Sequence, residues 1–356
     1  MTSGAIVPTR RISQGRQTKA GARRAWFLTV LGAIAALLVM EFLGSFIVSG
    51  WNYPKTPIRE IREYTEGISI SHFVPDGFGT YGNRLTGNPV LPNASTVLVL
   101  GDSHIVQEAV RDYQTFGAVI ENLSRSQSRP VNVKQYGWYD AAAPTYIANA
   151  PELLRVVHPK VVVVVLNPTD FTREALDEGW YWLMKIHPDY SIDLVDIRPP
   201  DPSSGRLGQI RDFVGRSHLL LALRRRSVLL FPDASMTPVR PPGPYARQAE
   251  VPLIARASIK GLKAAYGPLL LVGYLPFCKE TCPSEPDSYE AMMLSACQAE
   301  AVECVSTRPA MHQDMEKNHR ILRGFHNTDP GANHLNADGM EVAATAVWQE
   351  LSKRLQ

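Results

Sequence analysis

Hydrophobic residues follow two distinct patterns along this chain. Residues 26–48 form one nearly continuous apolar run, whereas from residue 97 onward apolar residues gather in short runs separated by longer stretches of mixed polarity. The runs at 97–100, 161–166 and 269–274 are rich in β-branched and aliphatic side chains, and 131–136, Val-Asn-Val-Lys-Gln-Tyr, is a further strand candidate. An unbroken apolar run such as 97–100 predicts a strand buried on both faces of a sheet. Between and after these runs the spacing predicts helices over roughly 105–124 and 145–157, a short element at 302–305, and a final amphipathic helix near 338–354. Alternation of this kind builds right-handed βαβ units, hence an α/β fold on a parallel sheet.

The long run bears on location. It is long enough to cross a bilayer as a helix, with Trp26 and Trp51 at its two interface positions. Before it stand Arg10, Arg11, Arg16, Lys19, Arg23 and Arg24 and no acidic residue, which predicts a cytoplasmic amino terminus. The remainder is then expected outside the inner (cytoplasmic) membrane, in the periplasm or extracellular space. A cleaved signal peptide fits less well, because the basic segment and apolar run are over-long and no Ala-x-Ala site follows. Glu41, inside the run, reads as a protonated or snorkelling residue near the outer edge. The expected organisation is a basic tail (1–25), a transmembrane anchor (26–50), a linker with an edge element (51–94), and a main domain (95–356).

Composition adds two constraints. Of the 356 residues, 45% are hydrophobic, enough for one large α/β domain. The formal charge of +3 comes from the amino terminus: without those six basic residues, 31 basic side chains face 34 acidic ones, a net of −3. That balance carries no electrostatic footprint for nucleic acid. Proline pairs at Pro199-Pro200 and Pro241-Pro242 flank an apolar-basic stretch, read as an insertion over about 190–250. Its triplet Arg224–Arg226 reads as a solvated helix face. Cys278, Cys282, Cys297 and Cys304 all fall within 278–304. An even, clustered set outside the cytosol predicts two disulfides, with three connectivities open, and the spacing lacks the Cys-x-x-Cys pairs of a zinc site.

The chemistry-bearing residues sit at the carboxyl ends of predicted strands. The first strand runs into Gly101-Asp102-Ser103-His104, the second ends at Gly137 and the third at Asn167. Ligands of open α/β sheets bind outside those ends. Ser103 is the candidate nucleophile, and the N–H groups of Ser103 and Gly137 with the Asn167 amide are candidate oxyanion donors. A serine hydroxyl needs a base; His334, in the loop before the last helix, is the candidate, with His326 its rival. Asp102 reads as a loop-fixing acid, and His104 either lines the pocket or caps the following helix.

Taken together, Gly101-Asp102-Ser103, Gly137, Asn167 and His334 resemble, in order and context, the blocks of the SGNH hydrolase superfamily, or GDSL esterases, over roughly residues 95–350. The Gly-Asp-Ser-His form and the His-Leu-Asn-x-x-Gly ending are similar to SGNH domains attached to bacterial membrane acyltransferases that modify surface polysaccharides. The resemblance implies a three-layer α/β/α sandwich, a Ser-His-Asp triad or Ser-His dyad, and no metal or cofactor. It places the triad acid three residues before the histidine, where this chain has Gly331; the nearest upstream acid is Asp329. The third block, Asn167-Pro168-Thr169-Asp170, also departs from the commoner pattern. The expected function is a membrane-anchored esterase or O-acyltransferase acting on acetyl groups of a surface glycan. The alternative is an inactive SGNH fold that binds glycan or helps assemble a polysaccharide export complex, with a membrane-protein partner.

Overall fold

The computed structural model describes residues 26–40, 71–172, 182–196, 250–325, 328–332 and 334–355. The strands are β1 (Phe73–Val74), β2 (Asn83–Arg84), β3 (Ser95–Gly101), β4 (Val131–Gly137), β5 (Val161–Leu166), β6 (Trp182–Ile186), β7 (Ile192–Asp196), β8 (Leu270–Tyr274) and β9 (Cys304–Ser306). The helices are α1 (Ser103–Val106), α2 (Phe116–Ser126), α3 (Ala143–Val157), α4 (Val251–Tyr266), α5 (Ser288–Glu300), α6 (Arg308–Asn318) and α7 (Ala337–Arg354). Seven strands form the main sheet in the order β1-β2-β4-β3-β5-β8-β9, while β6 and β7 pair as a separate antiparallel hairpin.

From β4 through β3, β5 and β8 to β9 every pairing is parallel. The chain leaves β3 for β4 on one side and returns to β5 on the other, so the strand order reverses between β3 and β5. That switch point opens a crevice at the carboxyl ends of these two strands. The sheet is not wholly parallel: β2 runs antiparallel to β4, and β1 to β2. This edge is pinned by Arg84, a fully buried guanidinium that bonds the Asp112 carboxylate and donates to the Val110 carbonyl at 2.9 Å.

Side chains alternate between the two faces of each strand. Leu98, Leu100, Val162, Val164 and Val272 meet Tyr146 and Leu153 of α3, Ile254 and Leu262 of α4 and Met293 of α5. Val97, Val99, Val161, Val163 and Leu271 meet Ile120 of α2, Met311 of α6 and Val347, Trp348 and Leu351 of α7. The result is three layers, α/β/α, with both faces of the central strands covered.

One predicted element divides. The expected helix over 105–124 is α1, a 3-10 turn at Asp112–Gln114 and then α2. Gln107 adopts a left-handed conformation (φ 31°) that ends α1 after one turn, and Thr115 starts α2 afresh by accepting the Ala118 N–H. The cysteines form Cys278–Cys282 and Cys297–Cys304. Residues 26–40 are helical, with Trp26 71% exposed. The rest of the expected anchor, Glu41 included, lies outside the described residues, as do residues 197–249 of the expected insertion with Arg224–Arg226. No helix among the described residues is long and apolar enough to cross a membrane.

Candidate active site

The nucleophile turn is built by its neighbours. A Cβ on Gly101 would lie 2.4 Å from Ile105 Cγ1, so glycine lets the chain fold back on itself directly after β3. Asp102 then caps the turn: Oδ1 accepts the His104 N–H at 2.9 Å and its carbonyl accepts the N–H groups of Ile105 and Val106. Its second oxygen, Oδ2, accepts from Asn167 Nδ2 at 2.7 Å. Asn167 in turn caps the 3-10 turn after β5, its Oδ1 accepting from Thr169 N and Oγ1 at 2.9 and 2.6 Å. Asp170 closes the set by accepting the Asn167 N–H at 2.8 Å. The loops after β3 and β5 are thereby one hydrogen-bonded unit.

Burial raises the Asp102 carboxyl above its ordinary range, opposed by the bonds from His104 N–H and Asn167. Asp170 is pushed further, by burial and then by the Asp102 charge. With both oxygens engaged, Asp102 is tied up in fixing the loops.

Ser103, half-buried, meets His334 across the crevice: Nε2 lies 2.8 Å from Oγ, although 231 positions separate them in sequence. Several contacts hold the histidine there. Gly324 N–H donates to the His334 carbonyl at 3.0 Å, Asn336 N–H to the Leu322 carbonyl at 3.1 Å, and Arg323 bridges Leu335 between them. Gln107, at the end of α1, donates from Nε2 to the Leu335 carbonyl at 2.5 Å, coupling the two loops directly. Asn336 caps α7 through the Gly339 N–H, and a Cβ on Gly339 would come 2.1 Å from the Leu322 carbonyl oxygen. Only glycine permits that approach.

Gly137 has a different place from the one its strand-end position suggested. Its carbonyl accepts the Thr80 N–H at 2.8 Å, whereas the next residue, Trp138, donates to Gly101. In a strand the N–H and C=O of one residue point to the same side, and neighbours point oppositely. The Gly137 N–H is therefore directed toward residues 79–80, on the side away from β3. Its glycine identity serves packing: a Cβ would sit 2.6 Å from Val106 N and 2.7 Å from the Asp102 carbonyl oxygen. Gly137→Ala is expected to destabilise the chain by about 1–3 kcal/mol, an overpacking cost, measured as a lowered urea midpoint.

Asp329 has a backbone role in the preceding turn, where its carbonyl accepts the Ala332 N–H at 3.0 Å. Gly331, at φ +74°, is pressed against the Lys279–Glu280 backbone of the Cys278–Cys282 turn. The loop is shaped by that contact. Asp329→Ala should accordingly change kcat by less than about tenfold, against the ~10⁴-fold that loss of a triad carboxylate costs. His326 lies outside the described residues.

Two further groups lie near the pair: Arg323, which no motif marks, and His104, the last residue of the Gly101-Asp102-Ser103-His104 turn. Arg323 is buried (2% exposed), donates to the Pro276 carbonyl at 2.8 Å and lies 4.9 Å from the Phe277 ring centre. Burial pushes its guanidinium down to about 10, partly offset by Asp102, so it stays charged at neutral pH. His104 packs its ring 4.9 Å from that of His334. Burial, then the Arg323 and His334 charges, hold the His104 imidazole well below its usual range, so it is neutral at pH 7. A neutral neighbour spares His334 the repulsion of a second imidazolium when it takes up a proton.

No family model matches the chain, and no curated protein sequence does. Among solved structures it is similar to an acetyl xylan esterase, AlAXEase, at 12% identity, covering 72% of this chain and 99% of that one, with a TM-score of 0.41. A lipase/acylhydrolase from Enterococcus faecalis matches at 10% identity, covering 74% and 97%, with a TM-score of 0.41. TesA matches at 11% identity, covering 73% and 99%, with a TM-score of 0.40. Likeness this distant assigns no family and bears on neither activity nor substrate.

The chemistry rests on the side chains themselves. A hydroxyl within hydrogen-bond reach of an imidazole, beside a buried amide, is the equipment for nucleophilic acyl transfer. Among the described residues no cluster of His, Cys, Asp or Glu is disposed to hold a metal ion.

Proposed function

We propose that this chain is a serine esterase or O-acyltransferase of the SGNH type, acting through an acyl-enzyme on Ser103. The observation that carries the reading is the 2.8 Å contact between Ser103 Oγ and His334 Nε2 at the switch point of the sheet. His334 takes the Ser103 proton as Oγ attacks the ester carbon. The Ser103 backbone N–H and the second hydrogen of the Asn167 amide bind the developing oxyanion. His334 then returns the proton to the departing alkoxide. Water or a second hydroxyl, deprotonated by His334, releases the acyl group; which of them attacks separates esterase from transferase.

The substrate we propose is an acetylated glycan outside the cytoplasmic membrane, with the amino-terminal apolar segment as the anchor. Support comes from the basic residues before that segment and from the exposed apolar side chains of the helix at residues 26–40. The direct test is turnover of p-nitrophenyl acetate by the detergent-solubilised full chain, followed in the pre-steady state. A burst of p-nitrophenol equal to the enzyme concentration is expected if acyl-enzyme forms faster than it breaks down. Absence of any turnover, together with glycan binding, would instead establish the inactive binding protein.

A further inference from the structure

The sheet register places a second feature on the rim that carries Ser103. Arg84 of β2 pairs with Gln135 of β4, and the Thr80 N–H donates to the Gly137 carbonyl at 2.8 Å, which puts the adjacent Tyr81 beside the end of β4. Gly101 pairs with Gly137 in the same row, and Ser103 follows two residues later. β2 is the second neighbour of β3, so at ~4.8 Å per strand Tyr81 stands roughly 10 Å to one side of the nucleophile. On the other side β8 is also the second neighbour of β3, and Phe277 follows its end by three residues. Both rings face solvent, Tyr81 at 43% and Phe277 at 47% exposure.

Tyr81 is held in place. Its ring meets Tyr139 edge-on at 5.8 Å and is backed by Phe73 at 5.2 Å. The two phenol oxygens lie 3.4 Å apart, the Tyr139 hydroxyl donates to the Glu108 carboxylate, and Tyr139 N–H donates to Thr80 Oγ1 at 3.0 Å. An isolated exposed aromatic needs no explanation. An exposed ring locked by a hydroxyl and carboxylate network is pre-organised, and ligand binding does not have to order it.

The chemistry selects the ligand class. An acyl chain or apolar peptide offers no partners to two phenols and a carboxylate. An anionic polymer is repelled by Glu108. A neutral sugar offers an apolar C–H face to the ring and hydroxyls to the oxygens. Building on the esterase reading, we propose that Tyr81, Tyr139 and Glu108 form a carbohydrate subsite for a neutral oligosaccharide. It holds one sugar while the ester of another, further along the chain, sits at Ser103, with Phe277 as the opposite platform. The two rings flank the nucleophile from opposite sides, Phe277 with its ring 6.3 Å from that of His104, so the site reads more than one sugar unit.

The test uses the full chain carrying Ser103→Ala, titrated calorimetrically with xylotetraose, cellotetraose, mannotetraose and chitotetraose, and with anionic tetragalacturonate. At least one neutral tetrasaccharide should bind, and adding Tyr81→Ala or Phe277→Ala should weaken it about tenfold or more, as expected for losing one aromatic contact. Tyr81→Phe, which keeps the ring, should weaken it less. In the active chain, Tyr81→Ala should lower the kcat/KM ratio of the acetylated tetrasaccharide over p-nitrophenyl acetate by a similar factor. Absence of binding by every neutral tetrasaccharide, tighter binding of tetragalacturonate, or equal affinity of Tyr81→Ala and its parent would overturn the subsite. Sugar binding without ester turnover would overturn only the esterase reading; turnover of p-nitrophenyl acetate without sugar binding would overturn only the subsite.

Discussion

Ser103→Ala is expected to lower kcat for p-nitrophenyl acetate by at least about 10³-fold while the chain stays folded. The magnitude follows from how nucleophile–base pairs behave: removing either member costs nearly as much as removing both, and only the residual effect of oxyanion donors and binding remains. The fold should survive because the turn does not depend on the hydroxyl. Asp102 caps α1 through its own carboxylate and carbonyl, and the Ser103 carbonyl still accepts the Gln107 N–H at 2.9 Å. Kinetics should be paired with a urea titration, in which the midpoint stays near that of the parent. A variant that keeps a tenth or more of the parent kcat would mean that Ser103 is not the nucleophile.

His334→Gln should be nearly as damaging, again about 10³-fold in kcat, and combining it with Ser103→Ala should add little. Its pH behaviour is more informative than its size. In the parent, activity falls on the acid side as the base is protonated. His104, the other imidazole at the site, is already neutral through burial and the nearby Arg323 and His334 charges, so it contributes no limb near neutrality. The acid limb should therefore vanish in His334→Gln. A profile that keeps it would transfer the base role to another group.

How much of this was legible in the chain depends on which physical signal each part uses. The central strands were plain: residues 161–166 read Val-Val-Val-Val-Val-Leu, and burial on both faces demands such a run. α7 was visible by a different signal, apolar residues recurring at helical spacing on one face, and Asn336 caps it. α4, α5 and α6 were not assigned, nor was the β6–β7 hairpin. In α5 and α6 the apolar residues do not line up on one face; few side chains are buried and the helices are fixed by tertiary contacts such as Arg308 with Asp287 and Glu290. The break after α1 depended on one left-handed residue, Gln107, which no periodicity reveals.

The site divides in a similar way. Ser103, Asn167 and His334 were readable because strand ends and a helix start are positions that sequence marks. For Gly137 the direction of the N–H depends on strand register, which alternates with every residue and which composition does not reveal. For Asp329 the only sequence signal is spacing, and spacing within a loop has no fixed geometry: the path here is shaped by Gly331, pressed against the Cys278–Cys282 turn. Arg323 looked like any surface arginine. Its burial comes from its pairing with Leu335 and from the Phe277 ring.

The central claim is that Ser103 and His334 act as one nucleophile. Its most direct measurement is reaction of the full chain with a fluorophosphonate, followed by peptide mapping by mass spectrometry. A single phosphonyl adduct on Ser103, formed by the parent and slowed at least about 10²-fold in His334→Gln, is the expected outcome. No adduct, or an adduct on another residue with Ser103 unmodified, would contradict it.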